Sequence, residues 1–227
     1  MADRTGLSAA LLLLGDGRLP FGGYAHSGGL EATVRAARVT DAASLRSFLE
    51  GRAATAGYVA GCFAAACCDA ALADDVARIR LLDAEFDTRM PSPSNREVSR
   101  TLGRQLVRAL SSIHAHALLN CLSGAVHQPI AYGLAAASFG LGPWDAAALM
   151  LYDSVSGPAA AALKVLSTDP FTVQSAVAEL VPLLDELADD AASRRAGAAD
   201  ELPALGSPLL DITAEQHRGL EARLFAS

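Results

Sequence analysis

Where apolar residues show a period along this chain it is that of a helix, and no stretch carries a convincing period-two alternation. Leu7–Leu14 reads as a first helix and Gly29–Ala37 as a short second one that closes before Thr40-Asp41. Asp41 is a good N-cap for a long helix from Ala42, in which Leu45, Phe48 and Leu49 fall at helical spacing and which can continue through Cys62–Leu72. Asp74-Asp75 starts another, since acidic side chains favour the positive end of a helix dipole. Met90-Pro91-Ser92-Pro93-Ser94 breaks the pattern. Helices are then expected at Asn95–Leu110, at His114–Leu122 and from Pro129 to Phe139, the last ended by Gly140-Leu141-Gly142-Pro143. Asp145 opens a further helix, with a kink or break expected at Gly157-Pro158. Thr172–Arg195 reads as a long helix interrupted or bent near Pro182, Gly197–Pro208 as a loop and Thr213–Leu224 as a terminal helix. There is no internal repeat and no linker long enough to divide domains. The expectation is one all-α domain over residues 1–227, of about ten helices and without significant sheet.

Composition supports that reading. The chain of 227 residues is 52% hydrophobic but only 5% aromatic, and the excess is mostly alanine, which favours helices and close helix contacts over strands. A net charge of −7 argues against a general nucleic-acid binder. The four cysteines, Cys62, Cys67, Cys68 and Cys121, show no framework spacing and suit a reducing cytosol, so a cytoplasmic location is expected. Arg4 precedes the apolar run Leu7–Leu14, but that run is short, Asp3 lies beside it and no small-residue cleavage site follows, so it reads as a mature helix. Ala53–Cys68 is too short and too weakly apolar to span a bilayer. The uncharged stretch Ala109–Trp144 contains His114, His116, Asn120, His127, Gln128 and Pro129, which would be costly in lipid; no membrane role is expected.

Candidate chemistry is sparse. Cys62 and Cys67 lie five apart and His114 and His116 two apart, which on a helix would turn each pair to different faces; no CxxC or HExxH occurs. Free buried cysteines and hydrogen-bonded histidines are the better reading, and no metal site is assigned. There is no GxSxG, GxGxxG or GxxxxGK[ST], so no catalytic centre is assigned either. Asp185, Glu186, Asp189 and Asp190 read as a solvated helix face. Arg96, Arg100, Arg104 and Arg108 step by four and form a basic stripe on an otherwise acidic protein. Two readings of it stand: pairing with Asp83, Glu85 and Asp87 within the chain, or a docking face for an acidic partner or a second subunit, with Arg104 and Arg96 its contacts.

The stretch GDGRLPFGGYAHSGGLE, residues 15–31, follows the leucine run Leu11–Leu14. Together they resemble the signature of the UreF family of urease accessory proteins, where a leucine-rich helix leads into LPxGG(F/Y)xHSxGLE. The resemblance continues at Ser99–Arg104, at Ala161-Ala162-Leu163-Lys164, at Gln174, and at His217 with Arg223-Leu224-Phe225-Ala226-Ser227. Departures are Gly15 and Gly17, Asp169-Pro170 in place of Gly-Gln, Lys164 in place of arginine and Arg218 in place of glutamate. The resemblance implies an all-α protein without catalysis of its own, usually a homodimer. Its partners would be a UreD/UreH-type accessory protein, the nickel-carrying GTPase UreG and the urease apoprotein. Nickel would pass transiently through the complex, with no tightly bound cofactor. It further implies partner contacts at Pro20, Gly22, Gly23, Tyr24, His26, Ser27 and Glu31, with Glu31 on a GTPase-facing surface. Arg223 and Phe225, in a tail over about 205–227, would dock the UreD/UreH-type protein. Two other classes remain open on the residues alone: a helical enzyme or nickel-storage protein that uses the histidines, and a helical interaction protein for another acidic partner.

Overall fold

The structure is a computed structural model and describes residues 8–122, 124–218 and 224–226. Among these it contains helices and turns and no strand. Its helices are α1 (Ala9–Leu14), α2 (Leu30–Arg35), α3 (Ala42–Leu72), α4 (Val76–Thr88), α5 (Pro93–Ile113), α6 (Gln128–Ser138), α7 (Pro143–Val165), α8 (Pro170–Glu179), α9 (Val181–Ser193) and α10 (Pro208–Arg218).

Most of the starts follow from capping chemistry. Ser8 accepts the amide of Ala10, Asp75 that of Arg78 and Ser92 that of Asn95. Asp41 and Ser44 form a reciprocal capping box at the head of α3. Pro93, Pro129, Pro143 and Pro170 sit in first turns, where a missing N–H costs nothing. The expected continuation of α3 is observed, with a π turn at Ala53–Gly57 on the way.

The second half of α3 is buried on nearly every side. It packs against α6 and α7, with α4 and α9 beyond. Alanine and glycine make this approach possible. A Cβ on Gly133 of α6 would come within 2.6 Å of Cys67 Cβ and 2.7 Å of the Ala64 carbonyl, so the two backbones nearly touch there. α3 and α7 each face two apolar clusters: one contains Phe63, Ile79, Leu106 and Ile130, the other Leu30, Leu45, Leu151 and Val155. Both helices are long and apolar enough to cross a bilayer by composition, but most of each is buried in the protein core.

Several expectations change. α5 runs on to Ile113, and His114–Leu122 is not a helix: His114 leaves helical geometry, His116 is extended, and only Ala117–Asn120 forms a short 3-10 turn. Tertiary packing wins over propensity here. The His114 ring stacks on Phe139 at 4.0 Å and bonds to the Ser138 carbonyl, while His116 Nδ1 accepts the Leu118 amide. The two imidazoles therefore do not diverge but stack at 5.7 Å. At Pro158 α7 continues unbroken, whereas near Pro182 the chain divides into α8 and α9, as expected. The terminal helix begins earlier than expected, at Pro208, and its expected end at Leu224 falls beyond residues 219–223, which lie outside the described residues.

Candidate functional site: the glycine-rich loop and the segment it holds

Between α1 and α2 the loop is fixed by apolar anchors. Leu19 and Phe21 are buried, and Phe21 meets Tyr132 of α6 edge-on at 6.3 Å. Between and after them the chain faces outward. Pro20 is exposed, and a 3-10 turn at Gly23–Ala25 presents Tyr24, which is 76% exposed. Gly22 and Gly29 both have positive φ, which lets the turn begin and α2 start within a few residues of each other. His26 is half-buried, and burial lowers its pKa below 6.5. Ser27 is buried and its Oγ accepts the Glu31 amide at 3.3 Å.

Glu31, in the first turn of α2, is 1% exposed. The structure places it beneath the surface rather than on it. Its carboxylate accepts from Arg35 Nη2 at 2.8 Å and His217 Nε2 at 3.0 Å. It also accepts the amides of Leu224 at 3.0 Å and Phe225 at 3.1 Å. Burial alone would raise the pKa of this carboxyl, but the Leu224 amide, His217, the Phe225 amide and Arg35 together hold it below 4.5. Glu31 thus ties together α2, α10 and residues 224–226.

Those last residues lie against the loop. The Ala226 amide donates to the Ala25 carbonyl at 2.8 Å, and Phe225 is buried with the Lys164 ammonium 5.3 Å from its ring centre. Arg223, assigned to docking from the sequence, lies outside the described residues. α10 is held to α5 by Asn95 and Asp211, and by Glu215, which accepts from Ser92 and Ser94. The loop, α3, α5, α7 and α10 line an open cavity of about 630 Å³, with His26, Arg52, Asp153 and His217 on its wall.

The arginine stripe divides. Arg100 pairs with Asp83 at 3.1 Å and Asp87 at 3.0 Å, as the intramolecular reading expects. Arg96 turns back onto the carbonyls of Met90 and Pro91. Arg104 and Arg108 are exposed and make no ion pair among the described residues. The acidic face of α9 is not wholly solvated either. Tyr58 donates to Asp190, which also takes Arg194, and Trp144 Nε1 donates to Asp189 at 2.6 Å.

Two polar groupings escaped the reading of the sequence. His127 is fully buried. Its Nε2 lies 2.8 Å from Asp87, its Nδ1 3.0 Å from the Ser99 hydroxyl, and its amide donates to Asp83 at 2.8 Å. Arg52 and Asp153 face each other across the cavity region, with Gln128 Nε2 donating to Asp153 at 2.7 Å. A signal existed for the second: Asp153 is the one charge between Ala146 and Leu163 in an apolar run of α7, and Arg52 is the last charge of α3 before an uncharged run to Cys68, a pattern in which a buried charge calls for a partner. The four cysteines are free, and burial pushes the Cys62 and Cys68 thiols up to about 12, far from the thiolate form. Among the described residues no three His, Cys, Asp or Glu side chains are placed to hold one metal ion.

Comparison with known proteins gives this geometry its context. The UreF family model matches residues 39–181. Urease accessory protein UreF of Mycolicibacterium vanbaalenii is 39% identical over 219 residues, which covers 96% of this chain and 98% of that protein. The proteins of the same name from Mycobacterium marinum and Mycobacterium sp. strain JLS are 40% and 38% identical, again over 96% of this chain. Those alignments are long enough to take in most of the molecule, including elements outside the residues of the family match. The chain belongs to the UreF family of urease accessory proteins.

Proposed function

We propose that this protein is a non-catalytic scaffold and GTPase regulator in the maturation of urease. On this reading it works in the cytoplasm as one unit over residues 1–227, as a homodimer. It joins a UreD/UreH-type protein and the UreG GTPase on the urease apoprotein. Nickel passes through this assembly as cargo and is not retained. The observation that carries the proposal is the buried Glu31 carboxylate, which gathers the loop, α2, α10 and residues 224–226 into one surface. A catalytic carboxylate would face a substrate; this one is spent on backbone amides of its own chain.

Two further features support the reading. Tyr24, Arg104 and Arg108 combine exposed aromatic and guanidinium groups, the residue types that dominate protein interfaces. The cavity behind the loop carries imidazole and carboxylate groups, ligand types that nickel accepts, on its wall. The partner contacts carried over by resemblance then sort themselves. Pro20, Tyr24 and Arg104 meet partners directly, Arg223 and the tail over about 205–227 engage the UreD/UreH-type protein, and Glu31, Ser27 and Phe225 act from beneath.

The test is co-expression with urease structural subunits, the UreD/UreH-type protein and UreG, read as nickel-dependent urease activity. Activity should require this chain and fall to background when it is omitted. Equal activity without it would overturn the proposal. So would tight stoichiometric nickel binding by the isolated protein in a calorimetric titration, because that is the behaviour of a store.

A further inference from the structure

Residue 158 is a proline inside α7, and its ring nitrogen has no hydrogen to give. The Ser154 carbonyl, one turn earlier, is thereby left without its helical donor. Arg52 of α3 takes that place. Its Nε donates to the Ser154 carbonyl at 2.8 Å, and its Nη1 donates to the Gly28 carbonyl in the glycine-rich loop at 2.9 Å.

The three partners fit closely. Gly28 has φ +60°, and a Cβ there would come within 2.9 Å of Pro158 Cγ and 3.2 Å of Arg52 Cζ. The loop backbone therefore rests on both the proline ring and the guanidinium. Asp153 lies near enough for its charge to favour that of Arg52. The π turn at Ala53–Gly57 follows Arg52 directly, where α3 crosses α7: a Cβ on Gly57 would come within 2.6 Å of Ser154 Oγ.

We propose that Arg52 is the positioning residue of the glycine-rich loop, a planar fork whose one prong fills the donor position that Pro158 vacates and whose other prong pins Gly28. The proline is then part of the device: an ordinary residue at 158 would satisfy Ser154 within the helix and leave the fork less to hold. Lysine cannot substitute, because a single ammonium on a flexible stem does not present two donors in a fixed plane. The consequence for docking rests on the proposed function, since it is the loop's Tyr24 and its neighbours that the fork holds in place.

The test is hydrogen exchange on the full chain, free of partners, for Arg52→Gln and Arg52→Lys, each with Pro158 and with Pro158→Ala. Arg52→Lys retains the positive charge beside Asp153, so it answers the question if Arg52→Gln fails to fold. Either substitution should speed exchange of loop amides 22–31 at least tenfold in both backgrounds, because Gly28 loses its donor in each. Exchange in α7 after Ser154 should quicken only where Pro158 is retained, because Pro158→Ala supplies the missing N–H. Unchanged loop exchange in a folded Arg52→Lys protein would overturn the proposal. So would restoration of the loop by Pro158→Ala, since that would make the effect one of helix stability alone. Capture of the UreD/UreH-type protein and UreG is then measured on the same variants. A released loop with undiminished capture would uphold the fork and refute the docking role of the loop.

Discussion

At the scale of single residues, the polar side chains that matter most here are enclosed ones, and enclosure is what a linear sequence hides. Glu31 was visible through its motif, yet its surroundings place it under the chain's last residues and not on a surface. His127 carried no motif at all. In its neutral form it gives Nε2–H to Asp87 and accepts the Ser99 hydroxyl at Nδ1, an arrangement that protonation would break. Burial holds its pKa below 6.5 despite the opposing pull of Asp87, and burial does the same to His26. The unfolded chain therefore takes up protons first as the pH falls. The stability these residues contribute is complete above pH 6.5 and is lost as the pH drops from 6.5 through the folded-state values. Urea titrations at stepped pH should show the wild type weakening over that window. His127→Gln should start less stable and slope less over that window. Parallel pH profiles for the two proteins would contradict this account.

At the scale of elements, helix class and most helix starts were legible because capping residues and prolines act locally. Asp41, Asp75 and Pro129 mark their helices in the sequence and in the structure alike. The failures lie where distant contacts decide. His114 leaves the helix to reach Phe139 and Ser138, 25 and 24 residues on in sequence, and His116 stacks on it. Pro158 should interrupt a helix by local rules and does not, because Arg52 from another helix takes up the freed carbonyl. The abundance of alanine, in contrast, did foretell close packing. Gly133→Ala tests how close: with Cys67 Cβ and the Ala64 carbonyl in the way, α6 must shift from α3. The variant should lose about 1–3 kcal/mol by chemical denaturation, the usual cost of overpacking. A loss under about 0.5 kcal/mol, typical of an unconstrained surface site, would show that the two backbones have room to spare.

At the scale of the whole molecule, the architecture is a helical core around α3 and α7 with an edge made from the parts least predictable by helix rules. The glycine-rich loop, α10 and residues 224–226 form that edge, and Glu31 joins them. The sequence motif marked the loop and the last residues separately; that one carboxylate links them required the folded structure. If the joined edge is what partners recognise, it can be undone from either side without dismantling the core. The most direct measurement is co-purification of the UreD/UreH-type protein with the wild type, with a chain lacking residues 223–227, and with Glu31→Gln, each checked for helix content by circular dichroism. The account predicts that helix content is retained throughout, that the truncation abolishes capture, and that Glu31→Gln, which removes the charge the tail amides bind, weakens it at least tenfold. Wild-type capture by the truncated chain would contradict it.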